Sequence, residues 1–271
     1  MLPGVADALT ARIAARAGFE ALYATGAGIA NVLLGMPDMG LTTMTETLDQ
    51  VARICDAIEL PVLADIDTGF GNAINARRTV RAFERAGVAG IQVEDQVFPK
   101  RCGHFAGKEI VPLAEMLGKL QAVLDARVDP AMVVVARTDA IAVDGFEAAV
   151  GRAVAFAEAG ADVIFVEAPT TRQMLADLPA RVQAPLLVNM VEGGRTPLLP
   201  AAELGAMGYR IVLFANTALR VAAAAVRDAL AELRATGDAG RLQDRMIGWD
   251  ERQELVGLPE IEALGLRYRG T

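Results

Sequence analysis

Three carboxylates that follow two predicted strands could together bind a divalent cation. Asp65 and Asp67 close the run Val-Leu-Ala-Asp-Ile-Asp, and Glu94 follows the next strand. Alternate residues of a strand face the same side, so both aspartates could enter one site. Oxygen ligands without a neighbouring histidine or cysteine suit Mg²⁺ or Mn²⁺. The alternative is that the sequence around Asp67 is only a turn and a helix cap, but the other charged residues at strand ends favour the metal.

A basic loop after the strand at 90–93 could supply an acid or base. Its potentially reactive residues are Lys100, Arg101, Cys102 and His104. Cations beside a thiol stabilise the thiolate and lower its pKa, and Gly103 and Gly107 would let the loop move as a lid. The alternative is an exposed basic loop with an incidental cysteine. By contrast, Cys55 lies in an apolar helical segment and is interpreted as a packed core residue.

The composition excludes several other chemistries. The chain has 271 residues, two cysteines, one histidine and no serine. It therefore contains no Ser-His-Asp triad, no HExxH zinc site and no CxxC redox pair, and one cysteine with one histidine does not fill a zinc site. The net charge of −8 and the scattered arginines argue against nucleic-acid binding. No apolar run is long enough for a membrane span and no signal peptide is recognisable, so we expect a cytoplasmic protein.

Strand-like and helix-like segments alternate along the whole chain. Strands are predicted at 19–24, 62–66, 90–93, 132–136, 162–166, 186–188 and 211–214, with a possible eighth at 2–5. Helices are predicted at 6–17, 45–58, 73–86, 113–126, 146–159 and 217–235. Three of these helices end in glycine shortly before a strand, which is typical of a C-cap. Eight such units favour a (β/α)8 barrel, although a doubly wound open sheet would give the same local pattern.

Polar residues stand where the predicted strands end. They are Thr25 and Gly26, Asp65 and Asp67, Glu94 and Asp95, Arg137 and Asp139, Glu167, Asn189, and Asn216. In a barrel the carboxyl ends of all strands meet at one mouth, where active sites lie. We therefore expect these side chains to surround one site.

Several stretches resemble the isocitrate lyase and phosphoenolpyruvate mutase superfamily over nearly the whole chain. They are PGVADALTARIAARAGFEALYATGAGIA, LGMPDMGLTTMTE, DIDTGFGN, VEDQVFPKRCGH, ARTDA, FVEAP and NMVEGG followed by TP. The Lys-Arg-Cys-Gly-His run is the signature of the lyase branch. The resemblance implies a TIM barrel forming one domain over 1–271. Its C-terminal helical tail, about 240–271, would be exchanged between subunits of a homotetramer built from dimers.

The resemblance also implies roles for individual residues. Asp65 and Asp67 would hold Mg²⁺, directly or through water, with Glu94 and Asp38 assisting. The part of the site that binds the α-hydroxy or α-keto acid would be lined by Tyr23, Thr25, Gly26, Ala27, Asn189 and Asn216. Arg137 would bind a carboxylate, with Glu167 completing the pocket. Cys102 would be the acid or base on the mobile loop, held by Lys100, Arg101 and His104.

The implied reaction is a retro-aldol cleavage of a 2-hydroxy di- or tricarboxylate, similar to 2-methylisocitrate or an alkylmalate, which releases an α-keto acid. A phosphonomutase acting on phosphoenolpyruvate or carboxyphosphonoenolpyruvate, and an oxaloacetate hydrolase, are alternatives within the superfamily. A metabolite-binding protein that has lost activity is a third.

Some positions depart from the usual pattern of the superfamily. The usual Ser-Gly-Gly is Thr25-Gly26-Ala27 here, and Asn216 stands where methylisocitrate lyases tend to have an apolar residue. The run that begins at Asn189 is more similar to the dimethylmalate lyase branch. The N-terminus is short for the superfamily, so we expect a missing helix and an incomplete first strand.

Overall fold

Eight parallel strands close into a barrel in chain order in the computed structural model, which describes residues 1–103 and 105–269. The strands are β1 (Leu2–Val5), β2 (Leu22–Ala24), β3 (Val62–Asp65), β4 (Gly90–Glu94), β5 (Val133–Thr138), β6 (Val163–Val166), β7 (Leu186–Asn189) and β8 (Ile211–Phe214). All eight predicted strands are confirmed. The open-sheet alternative is wrong, because β1 pairs with both β2 and β8 and so leaves the described sheet without an edge.

The first strand pairs along both of its edges, although the N-terminus is short. Strand β1 has four residues, as many as β3, β6, β7 and β8. In its two ladders Gly4 lies opposite Tyr23 of β2, and Pro3 lies opposite Phe214 of β8. Gly4 also permits a close approach, since a Cβ atom there would lie 1.9 Å from the carbonyl oxygen of Ala215.

Helices alternate with the strands. They are α1 (Ala8–Arg16), α2 (Gly26–Leu34), α3 (Met44–Ala57), α4 (Ala73–Arg85), α5 (Leu113–Leu124), α6 (Phe146–Glu158), α7 (Arg172–Arg181), α8 (Ala201–Met207) and α9 (Thr217–Thr236). Side chains define several helix starts: Asp7 caps α1, and Thr43 with Glu46 forms a capping box on α3. The predicted glycine stops are Gly18, Gly87 and Gly160, all with positive φ as a C-cap requires.

Helices α2, α7 and α8 were not among the predicted helices. Helix α2 begins with Gly-Ala-Gly, which has low intrinsic helix propensity. Helix α7 contains Pro179, and α8 has only seven residues. Their stability therefore comes from packing, as with the fully buried Leu175 and Leu204.

Alternate strand residues divide the core into two layers. One layer packs strand residues such as Ile91 and Val134 against helix residues such as Phe83 and Phe156. The other layer fills the barrel interior with Leu2, Tyr23, Leu63, Val135, Val163, Phe165, Leu187, Leu213 and Ala215. The inward-facing residues in the middle of the barrel are therefore mostly apolar. The next inward-facing residue of a strand comes two positions later, at the carboxyl end.

The chain divides into two compact units, Met1–Thr217 and Ala218–Thr271. The first contains the barrel. The second contains most of α9, a 3₁₀ segment (Ala239–Arg245), α10 (Trp249–Leu255) and α11 (Leu258–Tyr268), of which α10 packs on α11. In this second unit the guanidinium of Arg252 stacks on the ring of Trp249 at 4.3 Å. Within the described residues, no helix has both the length and the apolar character needed to cross a membrane.

Candidate active site

The inward position at the carboxyl end of most strands is polar. Asp65 comes two residues after the interior Leu63, Arg137 after Val135, Glu167 after Phe165, and Asn189 after Leu187. Because side chains two residues apart on a strand share a face, the barrel directs these groups toward one mouth. The polar residues at the strand ends therefore surround one site, as predicted, because side chains alternate between the two faces of a strand.

Asp65 and Asp67 are brought together by a turn. Strand β3 ends at Asp65, and Asp67 has the left-handed φ of 48°. The Asp67 backbone N–H donates to Oδ1 of Asp65 at 3.1 Å. The expectation that strand alternation would align the pair is therefore wrong, because Asp67 lies beyond the strand. Both carboxylates border Gly26, where a Cβ atom would lie 2.9 Å from Oδ2 of Asp65 and 3.3 Å from Oδ1 of Asp67.

The ammonium of Lys100 binds two of the predicted metal ligands. Its Nζ lies 2.5 Å from Oδ1 of Asp38 and 2.9 Å from Oδ1 of Asp67. Burial alone would lower the pKa of Lys100, but these carboxylates outweigh burial and raise the pKa well above its usual value. Lys100 is therefore a permanent cation at the carboxylate cluster. A role for Lys100 in activating Cys102 stays a prediction.

Burial raises the pKa of several acids of the cluster. It raises the pKa of Asp67 to about 6, against the opposing charge of Lys100. It also raises the pKa of Glu94 well above the usual range, although Arg137 opposes the shift. The hydroxyl of Tyr23 hydrogen-bonds to Asp65, and burial followed by the charge of Asp65 raises the pKa of Tyr23. These shifts therefore come first from burial, which makes each of these acids harder to ionise than in water.

Arg137 lies among three carboxylates. Its Nε is 2.9 Å from Oδ2 of Asp139 and 3.3 Å from Oε2 of Glu94, and its Nη2 is 3.6 Å from Oε2 of Glu167. The guanidinium also lies over the ring of Phe165, 5.2 Å from its centroid. Asp139 contacts both Nε and Nη2 and so orients the guanidinium plane.

The charges of this region favour a bound divalent cation. Seven carboxylates are buried or nearly so around the mouth: Asp38, Asp65, Asp67, Glu94, Asp95, Asp139 and Glu167. The buried cations of the same region are Lys100, Lys108, Lys119, Arg137 and Arg152. Within the part of the chain that the structure describes, the carboxylates thus exceed the cations by two.

The donor atoms suit a hydrated ion better than a closed protein cage. Among the described residues, no three Asp, Glu, His or Cys side chains form a ready metal-binding group. Mg²⁺ commonly keeps several waters and takes only one or two carboxylates directly. Asp65 and Asp67 could be those two, with Glu94 and Asp38 bound through water. Among the described residues, none donates a hydrogen bond to either carboxylate oxygen of Glu94.

The loop of Cys102 lies over this cluster. The Cys102 backbone N–H donates to the carbonyl of Asp38 at 3.1 Å. The side-chain amide of Gln96 binds both backbone groups of Arg101, at 2.8 and 2.9 Å. The Arg101 side chain is exposed and reaches the carbonyl of Ala106 at 3.5 Å. The fourth predicted loop residue, His104, lies outside the described residues.

Gly103 has a steric role that differs from the predicted hinge. A Cβ atom there would lie 2.5 Å from Nη2 of Arg137 and 2.7 Å from Cδ of Glu167. Such distances are shorter than real Cβ contacts, so only glycine lets the loop approach this closely. Gly107, by contrast, has a φ of 73° and occupies the left-handed region that favours glycine.

One cleft brings together five of the six predicted substrate-binding residues, all except Gly26. It is lined by Tyr23, Thr25, Ala27, Asp38, Asp65, Cys102, Gly103, Arg137, Phe165, Glu167, Asn189, Val191, Leu213, Ala215 and Asn216. Its volume is about 30 Å³, far below the roughly 300 Å³ or more of a typical small-molecule pocket. Larger cavities occur elsewhere. The one of about 730 Å³ beside Cys55 lies at the amino ends of β3 and β4, away from the carboxylates.

Two groups of polar residues in the cleft lining are built differently. Thr25 caps α2 with its hydroxyl, and the first-turn backbone N–H groups of Gly26 and Ala27 favour an anion. The second group consists of the side-chain amides of Asn189 and Asn216. Among described residues, neither amide oxygen has a hydrogen-bond partner.

Sequence reasoning missed the supporting polar residues. Lys119, on α5, donates to the carbonyl of Thr68 at 2.8 Å and so supports the turn of Asp67. Arg152 binds Asp95 and the carbonyl of Val111. These residues stand inside helices or away from strand ends. Their only sequence signal is a charge within an otherwise apolar helical face.

Comparisons with known proteins identify similar chains. A family model described as phosphoenolpyruvate phosphomutase matches residues 1–234. The chain is 46% identical over 266 residues to the 2,3-dimethylmalate lyase of Eubacterium barkeri, covering 98% of this chain and 92% of that protein. It is 44% identical over 260 residues to a 2-methylisocitrate lyase of Aeropyrum pernix, covering 96% and 83% respectively.

A solved structure has the same fold. It is an oxaloacetate acetylhydrolase in complex with the inhibitor 3,3-difluorooxalacetate, with a TM-score of 0.94 and 37% sequence identity. The match covers 100% of this chain and 92% of the other.

Proposed function

We propose that this chain, which belongs to the phosphoenolpyruvate mutase and isocitrate lyase superfamily, is a Mg²⁺-dependent carbon–carbon lyase. Its substrate would be a 2-hydroxy di- or tricarboxylate such as 2-methylisocitrate or an alkylmalate. The products would be an α-keto acid and a second carboxylate. The names of the two similar lyases support this class of reaction.

One observation carries the proposal. Cys102 lines the same cleft as Asp65, Arg137 and Glu167. A proton donor therefore stands opposite a cluster that can bind a metal and a carboxylate, as cleavage of a 2-hydroxy acid requires. A pocket for simple binding would not need a thiol on a loop that covers it.

The residues of this chain divide the work as follows. Asp65 and Asp67 would hold Mg²⁺, with Glu94 and Asp38 bound through water; Mn²⁺ fits the same oxygen atoms. The bound ion would supply Lewis-acid stabilisation of the oxygen that becomes the keto group. Arg137 binds and orients a substrate carboxylate, since Asp139 fixes the plane of its guanidinium. The backbone N–H groups of the first turn of α2 bind anionic oxygen.

The proton balance assigns a role to the thiol. A base of the carboxylate cluster takes the proton from the substrate hydroxyl, and the carbon–carbon bond breaks with its electron pair leaving on the second carboxylate fragment. The thiol of Cys102 then gives its proton to that carbon and becomes a thiolate. A thiol suits this step because its pKa lies nearer neutrality than that of a hydroxyl. Closing the loop keeps water away from the carbanionic fragment.

The hydrolase is the second candidate. The oxaloacetate acetylhydrolase structure matches the whole chain, and its substrate also carries two carboxylates around a keto carbon. The phosphonomutase reading fits less well, because a thiol donor has no role in moving a phosphoryl group. Asn189 and Asn216 add polar groups to the cleft lining, which favours a second carboxylate on the substrate over an alkyl chain alone.

The assembly is also a proposal. We infer a homotetramer in the cytoplasm, with the C-terminal helices exchanged between subunits. The second unit supports this, because α11 exposes Ile261, Leu264 and Leu266 and α10 exposes Trp249. An apolar helix face of this kind needs a covering surface.

A substrate panel tests the reaction. The protein is incubated with Mg²⁺ and 2-methylisocitrate, isocitrate, 2,3-dimethylmalate, other alkylmalates, oxaloacetate or phosphonopyruvate. We expect release of pyruvate from a methylisocitrate or an alkylmalate, lost with EDTA and restored by Mg²⁺. Formation of oxalate and acetate, seen by NMR, would favour the hydrolase instead. A reaction with phosphonopyruvate alone would refute the lyase.

A further inference from the structure

All three lysines of the chain are buried at the candidate site. Lys100, Lys108 and Lys119 are 3%, 7% and 3% exposed. A buried ammonium is costly unless oxygen atoms surround it. Lys100 binds the metal-site carboxylates, and Lys119 binds a carbonyl beneath them. Lys108 has no role in the reaction proposed above, so its burial needs a separate explanation.

Lys108 joins the Cys102 loop to the Arg137 cluster. Its Nζ lies 2.5 Å from the carbonyl oxygen of Gly103 and 2.7 Å from Oδ1 of Asp139. Asp139 in turn binds Nε and Nη2 of Arg137 at 2.9 and 3.1 Å. The carboxylate of Asp139 is thus shared between the loop and the arginine.

We propose that Lys108 is a positioning residue that latches the Cys102 loop closed over the cleft. It does so by tying the residue after Cys102 to the Asp139–Arg137 pair. The latch must open in each catalytic cycle, because the closed cleft of about 30 Å³ admits no dicarboxylate. The catalytic consequence rests on the proposed function, whereas the latch itself is a property of the loop.

A purely structural role fits the contacts less well. Packed apolar residues usually stabilise an interior as well as a buried ion pair does. Arg152 and Asp95 already join α6 to the end of β4 and to the segment that follows the loop. Lys108 adds a contact to the carbonyl of Gly103, where the absence of a Cβ atom lets the loop approach Arg137 and Glu167. Its contacts are therefore placed where the loop meets the site.

Alkylation of Cys102 by iodoacetamide measures loop opening without any turnover. Wild type and Lys108→Met are compared in the free form and with Mg²⁺ plus oxalate, and the modified peptide is quantified by mass spectrometry. We expect Cys102 of the variant to react at least tenfold faster in one or both conditions. Loss of a nearby cation would by itself slow the reaction, since less thiolate would form. Faster alkylation therefore reports opening.

Two internal references accompany the measurement. Cys55 is half-buried, and burial raises its pKa to about 11, so it should react slowly in every variant. Lys119→Met removes another buried ammonium, which supports the turn of Asp67 and does not contact the loop directly, and we expect it to accelerate Cys102 alkylation much less than Lys108→Met does. A general loosening of the fold would accelerate alkylation at both cysteines and in both variants.

The outcomes separate the latch from the proposed function. Equal Cys102 rates in wild type and Lys108→Met, with and without oxalate, would overturn the latch. So would equal acceleration in Lys119→Met. If wild type cleaves a 2-hydroxy acid, we expect Lys108→Met to lower kcat about 100-fold and to change KM much less, because the loop is misplaced while Arg137 keeps its partner. If wild type cleaves nothing, the alkylation result still decides the latch.

Discussion

The ammonium of Lys100 lies 2.9 Å from Oδ1 of Asp67. The closed loop therefore places a cation directly on a carboxylate that we assign to the metal. Loop closure and metal binding share this oxygen, so each should influence the other through charge.

Lys100→Met should bind divalent metal more tightly than wild type in the absence of substrate. Removing one positive charge within a few ångströms of the site should raise Mn²⁺ affinity about tenfold, even with strong screening. Electron paramagnetic resonance titration with Mn²⁺ measures this. Arg101→Met is the matched control, because its exposed side chain lies on the same loop. Weaker Mn²⁺ binding by Lys100→Met would show that the lysine supports the metal instead.

Gly103→Ala should stop the loop from closing. The added methyl group would lie 2.5 Å from Nη2 of Arg137, and the backbone must move away to relieve the overlap. We expect kcat to fall about 100-fold or more while Cys102 remains chemically intact. Gly118→Ala is the control, since its added methyl meets no atom within 4 Å and lies on α5. Full activity of Gly103→Ala would contradict the close approach.

Cys102→Ala should abolish turnover and retain binding of a product analogue. The variant lacks the proton donor, but the carboxylates, Arg137 and the first turn of α2 are unchanged. Calorimetry with Mg²⁺ and oxalate should give a Kd within a few-fold of wild type. Turnover that persists undiminished would remove the thiol from the mechanism.

Asp139→Asn should destabilise the protein in a pH-dependent way. Burial would raise the pKa of Asp139, but Arg137 and Lys108 outweigh it and hold the pKa at about 2. Because the pKa of Asp139 is lower in the folded state than in the unfolded state, its ionisation stabilises the fold at pH values above the unfolded pKa of about 4. This stabilisation is lost as the pH falls toward 2. The difference in unfolding free energy from wild type should therefore be about 3 to 5 kcal/mol at neutral pH and shrink below pH 4.

Urea denaturation of both proteins between pH 7 and pH 3 measures the difference. A gap that stays constant across this range would mean that Asp139 is not held as a buried carboxylate. Asp129→Asn is a suitable control on the exposed surface, since the one hydrogen bond of its carboxylate among the described residues comes from the nearby backbone N–H of Ala131.

The barrel could be predicted because its strands are short apolar runs with regular spacing. Even the four-residue β1 was identified, and the polar residues at strand ends pointed to the mouth. The features that could not be predicted from the sequence depend on tertiary contacts. The turn at Asp67 and the steric role of Gly103 exist only because other segments approach them. Lys108 pairs with Asp139, 31 residues further along the chain, and no local pattern marks that pair.

The burial of every lysine has a practical consequence for studying the protein in solution. Positive charge on the described surface is carried by arginine, so primary amines accessible to an ester-based dye are nearly absent while the loop is closed. Two of the three lysines lie on the loop and one lies beneath the turn of Asp67. Incorporation of an amine-reactive dye at the lysines, separated from labelling of the exposed Met1 amine by peptide mapping, would therefore report opening of the loop with no engineered probe.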